Sequence, residues 1–255
     1  MTNYLENIYR LKIVQKSDIV SLVGNENAAK ELLRRFKKQG LLAQIKRDMY
    51  VANDLATKTA IASKFEIGSQ INSTAFLSHH AALEYHGLAN QVFYEMQISS
   101  KQKFKQFDFE GITYLFHLSK TDVGVVAPPY DSFVRVTNLE RTVVDCINRI
   151  DLCGGLEELI VSFALLTIIN EQKILDYLDA FDKQALYQKA GFILSYFQDT
   201  MKLSDSFFAY CQTKIGKSTR YLTDSQESNV YFKEWRLVAP KNILSYLEQG
   251  GGEYV

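Results

Sequence analysis

The segment from Asn25 to Gly40 constrains the fold of this chain more than any other. Asn25 is a favourable N-cap residue, and Gly40 is the left-handed residue expected just past a helix C-terminus. At about 100° per residue, one face of a helix over 26–39 is apolar, with Ala28, Ala29, Leu32, Leu33 and Phe36. The opposite face is polar and basic and carries Asn27, Lys30, Arg34, Lys37 and Lys38.

The elements around this helix follow a characteristic order. Apolar residues between Tyr4 and Leu11 predict a first helix, and Ser17 is expected to cap a second one that ends at Gly24. After Gly40, residues 41–45 and 49–52 predict two short strands joined by a turn that places Lys46 and Arg47 at its tip. Three helices and a basic hairpin predict a winged helix-turn-helix over residues 1–53.

Charge supports a nucleic-acid interface in this segment. The whole chain has no net charge, but residues 1–53 carry ten Lys and Arg against five Asp and Glu, so the remainder is acidic and is not expected to hold DNA alone. A helix of this type fits the major groove of double-stranded DNA, with Asn27 and Lys30 placed to read base edges. Backbone phosphates are the expected partners of the other basic residues, Arg34, Lys37, Lys38, Lys46 and Arg47. The alternative is that these charges form an ordinary solvated helix face.

The pattern beyond residue 53 predicts a larger mixed α/β domain over 54–255, which makes the whole chain α+β. The short polar join at 53–60 favours packing of the two domains. A helix from Ser78 to Gly87 and strands over 93–99, 104–109, 112–118 and 133–136 give a sheet-containing part at about 70–137. Helices are predicted over 139–149, 155–168, 171–181, 183–200 and 204–214, a helical part at about 138–215. Terminal strands at 219–222 and 230–237 and a helix at 242–249 are predicted for the part 216–255.

Three groups of residues suggest chemistry, and each has a plainer structural explanation. Gly216-Lys217-Ser218 lacks the earlier glycine and the preceding strand of a phosphate-binding loop. The set His79, His80, Glu84 and His86 has no remote partner that would complete a metal site. Glu140 and Asp145 point to different sides of a helix, so they are not expected to form a pair of catalytic carboxylates. The aromatic residues beyond position 53 are interpreted as core residues and not as a surface for stacking bases, because we expect no cations among them. We therefore expect no catalytic site, no metal and no cofactor.

The remaining sequence features indicate a bacterial cytoplasmic protein. The three cysteines, Cys146, Cys153 and Cys211, form no close pair and are expected to be reduced packing residues. The first residues are too polar for a signal peptide, and the longest apolar run, 159–169, is too short to span a bilayer.

Three blocks of the chain resemble the AbiEi-type antitoxins of type IV abortive-infection toxin-antitoxin systems. They are KRDMYV at 46–51, LSHHAALEYHGL at 77–88 and VTNLERTVVD at 136–145. A glycine usually precedes the wing tyrosine by two positions, and Asp48 stands there in this chain. Asp48 is expected to adopt the same left-handed turn.

The resemblance implies a phage-defence protein that represses its own operon by binding inverted repeats in the promoter. It also implies that the C-terminal domain antagonises a nucleotidyltransferase-like toxin without a stable complex. The blocks at 78–88 and 137–145 are expected to define the fold rather than to act directly. Two alternatives stay open, a stand-alone winged-helix transcription factor with a ligand-sensing body and a metal-dependent nuclease using Glu140, Asp145 or the histidines.

Overall fold

The computed structural model describes residues 2–224 and 229–249 as a mixed α+β fold, which confirms the predicted class. The chain forms two compact units. The first comprises the chain up to Leu77 together with Tyr94–Lys120 and Ala127–Arg135. The second comprises Ser78–Phe93, Thr121–Val126 and the chain from Val136 onward. The segment 1–53 thus belongs to a unit that also contains later strands.

The N-terminal part of the first unit has three helices and a small antiparallel sheet. The elements are α1 (Thr2–Leu11), β1 (Ile13–Gln15), α2 (Lys16–Val23), α3 (Glu26–Lys38), β2 (Leu42–Lys46) and β3 (Met49–Ala52). The strands lie in the order β1-β3-β2, and Ile13 pairs with Val51 in register. Side chains from all six elements form one core, and its buried members include Ile8, Ile19, Leu32, Leu33 and Phe36.

Strand β1 was not predicted, and it changes the start of the second helix. The N-cap of α2 is Gln15 rather than Ser17, because the strand ends at Gln15 and the helix follows without a loop. Asp18 completes the cap by accepting a hydrogen bond of 2.7 Å from the Gln15 backbone N–H.

The rest of the first unit contains part of a mixed sheet. Its elements are α4 (Lys64–Ser69), β4 (Phe76–Leu77), β5 (Glu95–Ser100), β6 (Phe107–Phe109) and β7 (Ile112–Leu118), with adjacent strands in the order β6-β7-β5-β4. The turn between β6 and β7 lies at Glu110 and Gly111 as predicted, and both have positive φ, 48° and 78°. Helix α4 was not predicted.

The N-terminal segment packs on this sheet within the first unit. The Lys12 Nζ donates to Glu66 of α4 at 2.6 Å, and the Gln15 side-chain amide donates to the Gln70 carbonyl at 3.2 Å. The helix-and-hairpin segment is therefore held by contacts with residues well beyond position 53.

The second unit is mostly helical and has its own core. Its helices are α5 (His79–Tyr85), α6 (Leu139–Asn148), a 3-10 helix (Ile150–Cys153), α7 (Gly155–Ala164), α8 (Glu171–Phe181), α9 (Gln184–Ser195), α10 (Gln198–Met201), α11 (Asp205–Thr213) and α12 (Ser245–Gln249). Cys146, Cys153 and Cys211 are buried in this core, as predicted for packing residues. The predicted helix over 183–200 is two helices, since the chain turns at Tyr196 and Phe197, where Phe197 enters the core.

The strands of the second unit differ from the prediction. They are β8 (Val125–Val126), β9 (Val136–Thr137), β10 (Arg220–Tyr221), β11 (Asn229–Phe232) and β12 (Leu237–Pro240). The strand expected over 230–237 is two strands, because a turn that buries Trp235 and gives Arg236 a φ of 47° separates β11 from β12. Of the predicted terminal part 216–255, residues 225–228 and 250–255 lie outside the described residues.

Candidate nucleic-acid interface

Helix α3 begins and ends where local signals place it. The Asn25 side chain accepts hydrogen bonds from the backbone N–H groups of Asn27 and Ala28, at 2.8 and 3.0 Å. Gly40 follows the helix with a φ of 67°. The buried residues Ala29, Leu32, Leu33 and Phe36 anchor one face in the core. All the predicted contact residues of the opposite face are exposed, namely Asn27, Lys30, Arg34, Lys37 and Lys38.

The cations of this face are arranged by neighbouring acceptors. Glu26 binds the ammonium groups of Lys16 and Lys30 at 2.7 and 3.3 Å, and these two cations lower the pKa of the Glu26 carboxyl. Glu31 binds the Arg34 guanidinium through two contacts of 2.7 and 3.1 Å. Because these pairs are open to solvent, they are weak and can exchange their partners for phosphate oxygens.

The hairpin between β2 and β3 lies beside the helix. The Lys37 Nζ donates to the Gln44 side chain of β2 at 2.6 Å, and the Lys16 backbone N–H donates to the Asp48 carbonyl at 2.8 Å. Asp48 has a φ of 62°, which confirms the left-handed turn predicted there. The Arg47 side chain at the tip is 95% exposed.

Helix and hairpin enclose a shallow cavity of about 280 Å³. Its lining includes four cations, Lys16, Lys30, Arg34 and Lys37. Leu33, Asp48 and Tyr50 complete the lining. Lys16 was counted as a charge in the sequence but not assigned to the site. The N-terminus of α2 is therefore part of the same basic surface as α3.

Lys46 is placed differently from the other predicted contacts. It is half-buried, and its Nζ lies 5.6 and 5.5 Å from the ring centroids of Phe104 and Phe107. Burial lowers the pKa of its ammonium group. The Lys46 side chain therefore packs the end of β2, next to the hairpin turn, against Phe104 and Phe107, whereas Arg47 extends into solvent.

A second basic segment lies next to Lys46 and was missed in the sequence. In the loop 101–106, Phe104 is buried, while Lys101, Lys103 and Lys105 are exposed. The signal was present as the alternating string KQKFKQ, so the expectation that no cations interleave with the body's aromatic residues was wrong. We refer to residues 101–105 as the lysine loop.

The first compact unit is basic and the second is acidic, and most of the positive excess lies within residues 1–53. The segments of the first unit contain seventeen Lys and Arg against eleven Asp and Glu, and those of the second contain twelve against eighteen. The excess of positive charge therefore includes the lysine loop as well as the N-terminal segment.

The histidine cluster is buried in the second unit. His79 and His80 are almost inaccessible, and the Nε2 of His86 lies 2.7 Å from the Thr137 carbonyl oxygen. The Nε2 of His80 lies 3.4 Å from the carboxylate of Glu158, whose Oε1 accepts from the Asn90 backbone at 2.8 Å. Ser78 precedes α5 as predicted but binds His79 instead of capping the helix. Within residues 2–224 and 229–249, no three His, Cys, Asp or Glu side chains form a group suited to a metal ion.

The carboxylates of α6 are separately engaged. Asp145 accepts a hydrogen bond of 2.8 Å from Arg141, and both side chains are about 95% buried. Burial raises the pKa of Asp145 to about 6, against the opposing effect of Arg141. Glu140 accepts instead from the Asn170 backbone at 3.4 Å, so the two acids do not form a paired site.

Helix α11 precedes Gly216-Lys217-Ser218, as predicted, where a phosphate-binding loop would need a strand. In the part of the chain that the structure describes, no helix has both the length and the apolar character needed to cross a bilayer.

Comparison with known proteins shows that the chain is similar to a solved structure. The chain superposes on the crystal structure of the RV2827C protein from Mycobacterium tuberculosis with a TM-score of 0.66, covering 98% of this chain and 94% of that one. The two chains share a fold. Their sequences are 13% identical, and neither a protein-family model nor a curated protein sequence matches this chain.

Proposed function

We propose that residues 1–53 are a winged helix-turn-helix that binds double-stranded DNA. The observation that carries this proposal is the basic face of α3, which lies beside the hairpin tip at Arg47 around a cation-lined cavity. A capped amphipathic helix with long basic side chains on its exposed face suits the major groove, and a basic hairpin suits the adjacent backbone.

The residues of the surface divide into two roles. We assign contact with base edges to Asn27 and Lys30, which lie in the first turns of α3. The cations further along, Arg34, Lys37 and Lys38, together with Lys16 and Arg47, contact phosphates and contribute affinity without sequence information. The lysine loop extends the same role beyond residue 53, and Lys46 positions the hairpin instead of contacting phosphate.

The biological role that we propose is that of an autorepressing antitoxin in the bacterial cytoplasm. The sequence blocks at 77–88 and 136–145 support it through their resemblance to AbiEi-type antitoxins. In the second unit these blocks are joined by the bond between His86 and the Thr137 carbonyl and are largely buried. We therefore propose that these two blocks stabilise the fold of the domain that has the antitoxin function. We propose that this function is not enzymatic.

The DNA-binding part of the proposal is tested by fluorescence anisotropy with a labelled duplex from the promoter of the protein's own operon. Lys30→Gln and Arg34→Gln should each weaken binding about 5- to 150-fold. Lys173→Gln, on the exposed side of α8, is the matched control and should leave the affinity unchanged. Unchanged affinity in both α3 variants would remove the assignment of α3 as the recognition helix.

The antitoxin part is tested by growth rescue with the full-length chain. The neighbouring nucleotidyltransferase gene, expressed alone, should arrest growth, and the wild-type protein should restore it. A variant with Lys30, Arg34 and Lys37 all changed to Gln should lose promoter repression and keep rescue, since the antagonism is assigned to the C-terminal domain. Absence of any arrest or rescue would favour a transcription factor without a toxin partner.

A further inference from the structure

The second unit contains a cavity that the proposed function does not use. Its volume is about 1010 Å³, in the upper range of small-molecule sites. Four parts of the unit form its walls: the junction from α6 to α7, helix α9, strand β10 with the residues after it, and the segment from Pro240 to Tyr246.

The inner wall differs from the rim. Three buried apolar side chains, Ile150, Leu156 and Leu222, line the inner wall. The charged residues Arg149 and Asp151 are exposed at the rim and bind each other at 2.6 Å, so their charges largely cancel. The rim also carries the aromatic side chains of Tyr221 and Tyr246.

Three cations line the cavity, and Lys189 of α9 is partly buried, whereas Arg149 and Lys241 are exposed. The acidic lining residues Asp151, Glu157 and Asp224 are also exposed. Burial lowers the pKa of the Lys189 ammonium, and the charges of Asp224 and Asp151 oppose this effect. Partial burial removes some of the hydration of the Lys189 ammonium, and an anion bound beside it would compensate for that loss.

The walls are fixed before any ligand binds. Gln188, next to Lys189, donates from its side-chain amide to the carbonyls of Ser218, Trp235 and Arg236 at 3.0, 3.2 and 3.1 Å. These bonds tie α9 to the residues that precede β10 and β12. A preformed cavity avoids the entropic cost of ordering side chains on binding.

The backbone at the start of α7 adds to the same wall. Gly154 and Gly155 have φ values of 83° and 90°, and α7 begins without a side-chain cap. Space beside the Gly155 Cα is open, since a Cβ there would meet no atom within 4 Å. Because Glu157 and Glu158 lie in the first turn of α7, its amides are not counted in the positive potential that Lys189 provides.

We propose that this cavity binds a small organic anion with a planar ring, of the size of a nucleoside monophosphate. The anionic group lies beside Lys189, and the ring packs on Ile150, Leu156 and Leu222 with the two tyrosines at the mouth. A phosphate and a carboxylate satisfy the same chemistry. The site belongs to the second unit and does not depend on the DNA-binding proposal.

The test is isothermal titration calorimetry on the full-length protein with AMP, adenosine, 4-hydroxybenzoate and inorganic phosphate. We expect AMP, 4-hydroxybenzoate or both to bind with a Kd below about 1 mM, and the relative affinity of these two probes distinguishes phosphate from carboxylate. Adenosine should bind about tenfold more weakly than AMP if phosphate is preferred, since it lacks the anion. Inorganic phosphate should bind more weakly than the preferred probe, because it lacks the ring.

Variants separate this site from surface binding. Lys189→Met keeps an apolar stem, and it should weaken the preferred probe about tenfold or more. Lys189→Arg should retain most of the affinity, and Lys173→Met, outside the cavity, should retain all of it. Circular dichroism checks that each variant is folded. The proposal is overturned if neither anionic ring compound binds below about 1 mM, if inorganic phosphate binds as tightly as both, or if folded Lys189→Met binds like the wild type.

Discussion

Arg141→Met should destabilise the second unit strongly, because the buried Arg141 guanidinium pairs with the buried Asp145 carboxylate and also binds a backbone carbonyl. It donates to Asp145 at 2.8 Å and to the Val123 carbonyl at 2.7 Å, and it lies 4.8 Å from the centroid of the Phe181 ring. Removing one partner of a buried ion pair costs about 3–5 kcal/mol, a large part of the 5–15 kcal/mol that stabilises a typical domain. We therefore expect a loss of about 4 kcal/mol at pH 8.

The same variant should be less destabilised in acid. The folded-state pKa of Asp145 is about 6, above its ordinary value of 3.8, so its effect on stability is most favourable below about pH 4 and is lost as pH rises through 6. Arg141 lowers the pKa of Asp145, so the Arg141→Met variant should have an Asp145 pKa above that of the wild type. At pH 5 the Asp145 carboxyl of the variant is therefore mostly protonated and neutral. The loss of unfolding free energy caused by Arg141→Met should then be smaller at pH 5 than at pH 8.

Urea denaturation followed by fluorescence of Trp235, the single tryptophan, measures this effect in the unit that contains the pair. The control is Arg149→Met, which breaks an exposed pair with Asp151 and should cost no more than about 1 kcal/mol. Changing Asp145 to Leu together with Arg141→Met should recover a substantial part of the loss. A cost for Arg141→Met no larger than that of the control, or no dependence on pH, would refute the assignment of the 136–145 block to the fold.

Three further predictions concern the first unit. Asn25→Ala removes the acceptor for two backbone N–H groups and should lower stability by about 1 kcal/mol in denaturation, with Asn25→Asp close to wild type. Arg47→Gln should weaken DNA binding in anisotropy measurements with little effect on thermal unfolding, whereas Lys46→Gln should do the reverse; equal effects of the two would contradict their separate roles. Gly68→Ala places a Cβ 2.6 Å from the Ile98 Cδ1 and should cost about 1–3 kcal/mol in urea, an effect that the smaller side chain of Ile98→Val should partly relieve.

Local signals were sufficient for the elements that carry the candidate interface. The cap at Asn25, the apolar spacing from Ala29 to Phe36 and the glycine at position 40 depend on neighbours within a few residues, and the structure places α3 accordingly. Strand β1 was missed because three residues give little periodicity and it is stabilised by pairing with the distant β3. The break between β11 and β12 was missed because burial of Trp235 in the core decides it.

The placement of side chains depends on contacts that the sequence does not reveal. Lys46 and Arg47 are adjacent cations in the same hairpin, and only the distant Phe104 and Phe107 distinguish them. Asp145 and Arg141 have the spacing of a helical ion pair, but their burial depends on the packing of the whole unit. Lys189 gave no local signal, because the walls of its cavity come from four separate parts of the chain.

The salt dependence of promoter binding tests the proposed interface most directly. Each phosphate contact contributes about 0.9 to the slope of log Kobs against log salt concentration, so changing Arg34, Lys37 and Lys38 together to Gln should reduce the slope by about 2–3. The matched control changes Lys173, Lys217 and Lys233 to Gln, which alters the net charge equally on exposed residues of the second unit. We predict that the control keeps the wild-type slope. Equal slopes for the two triple variants would contradict a DNA interface on α3.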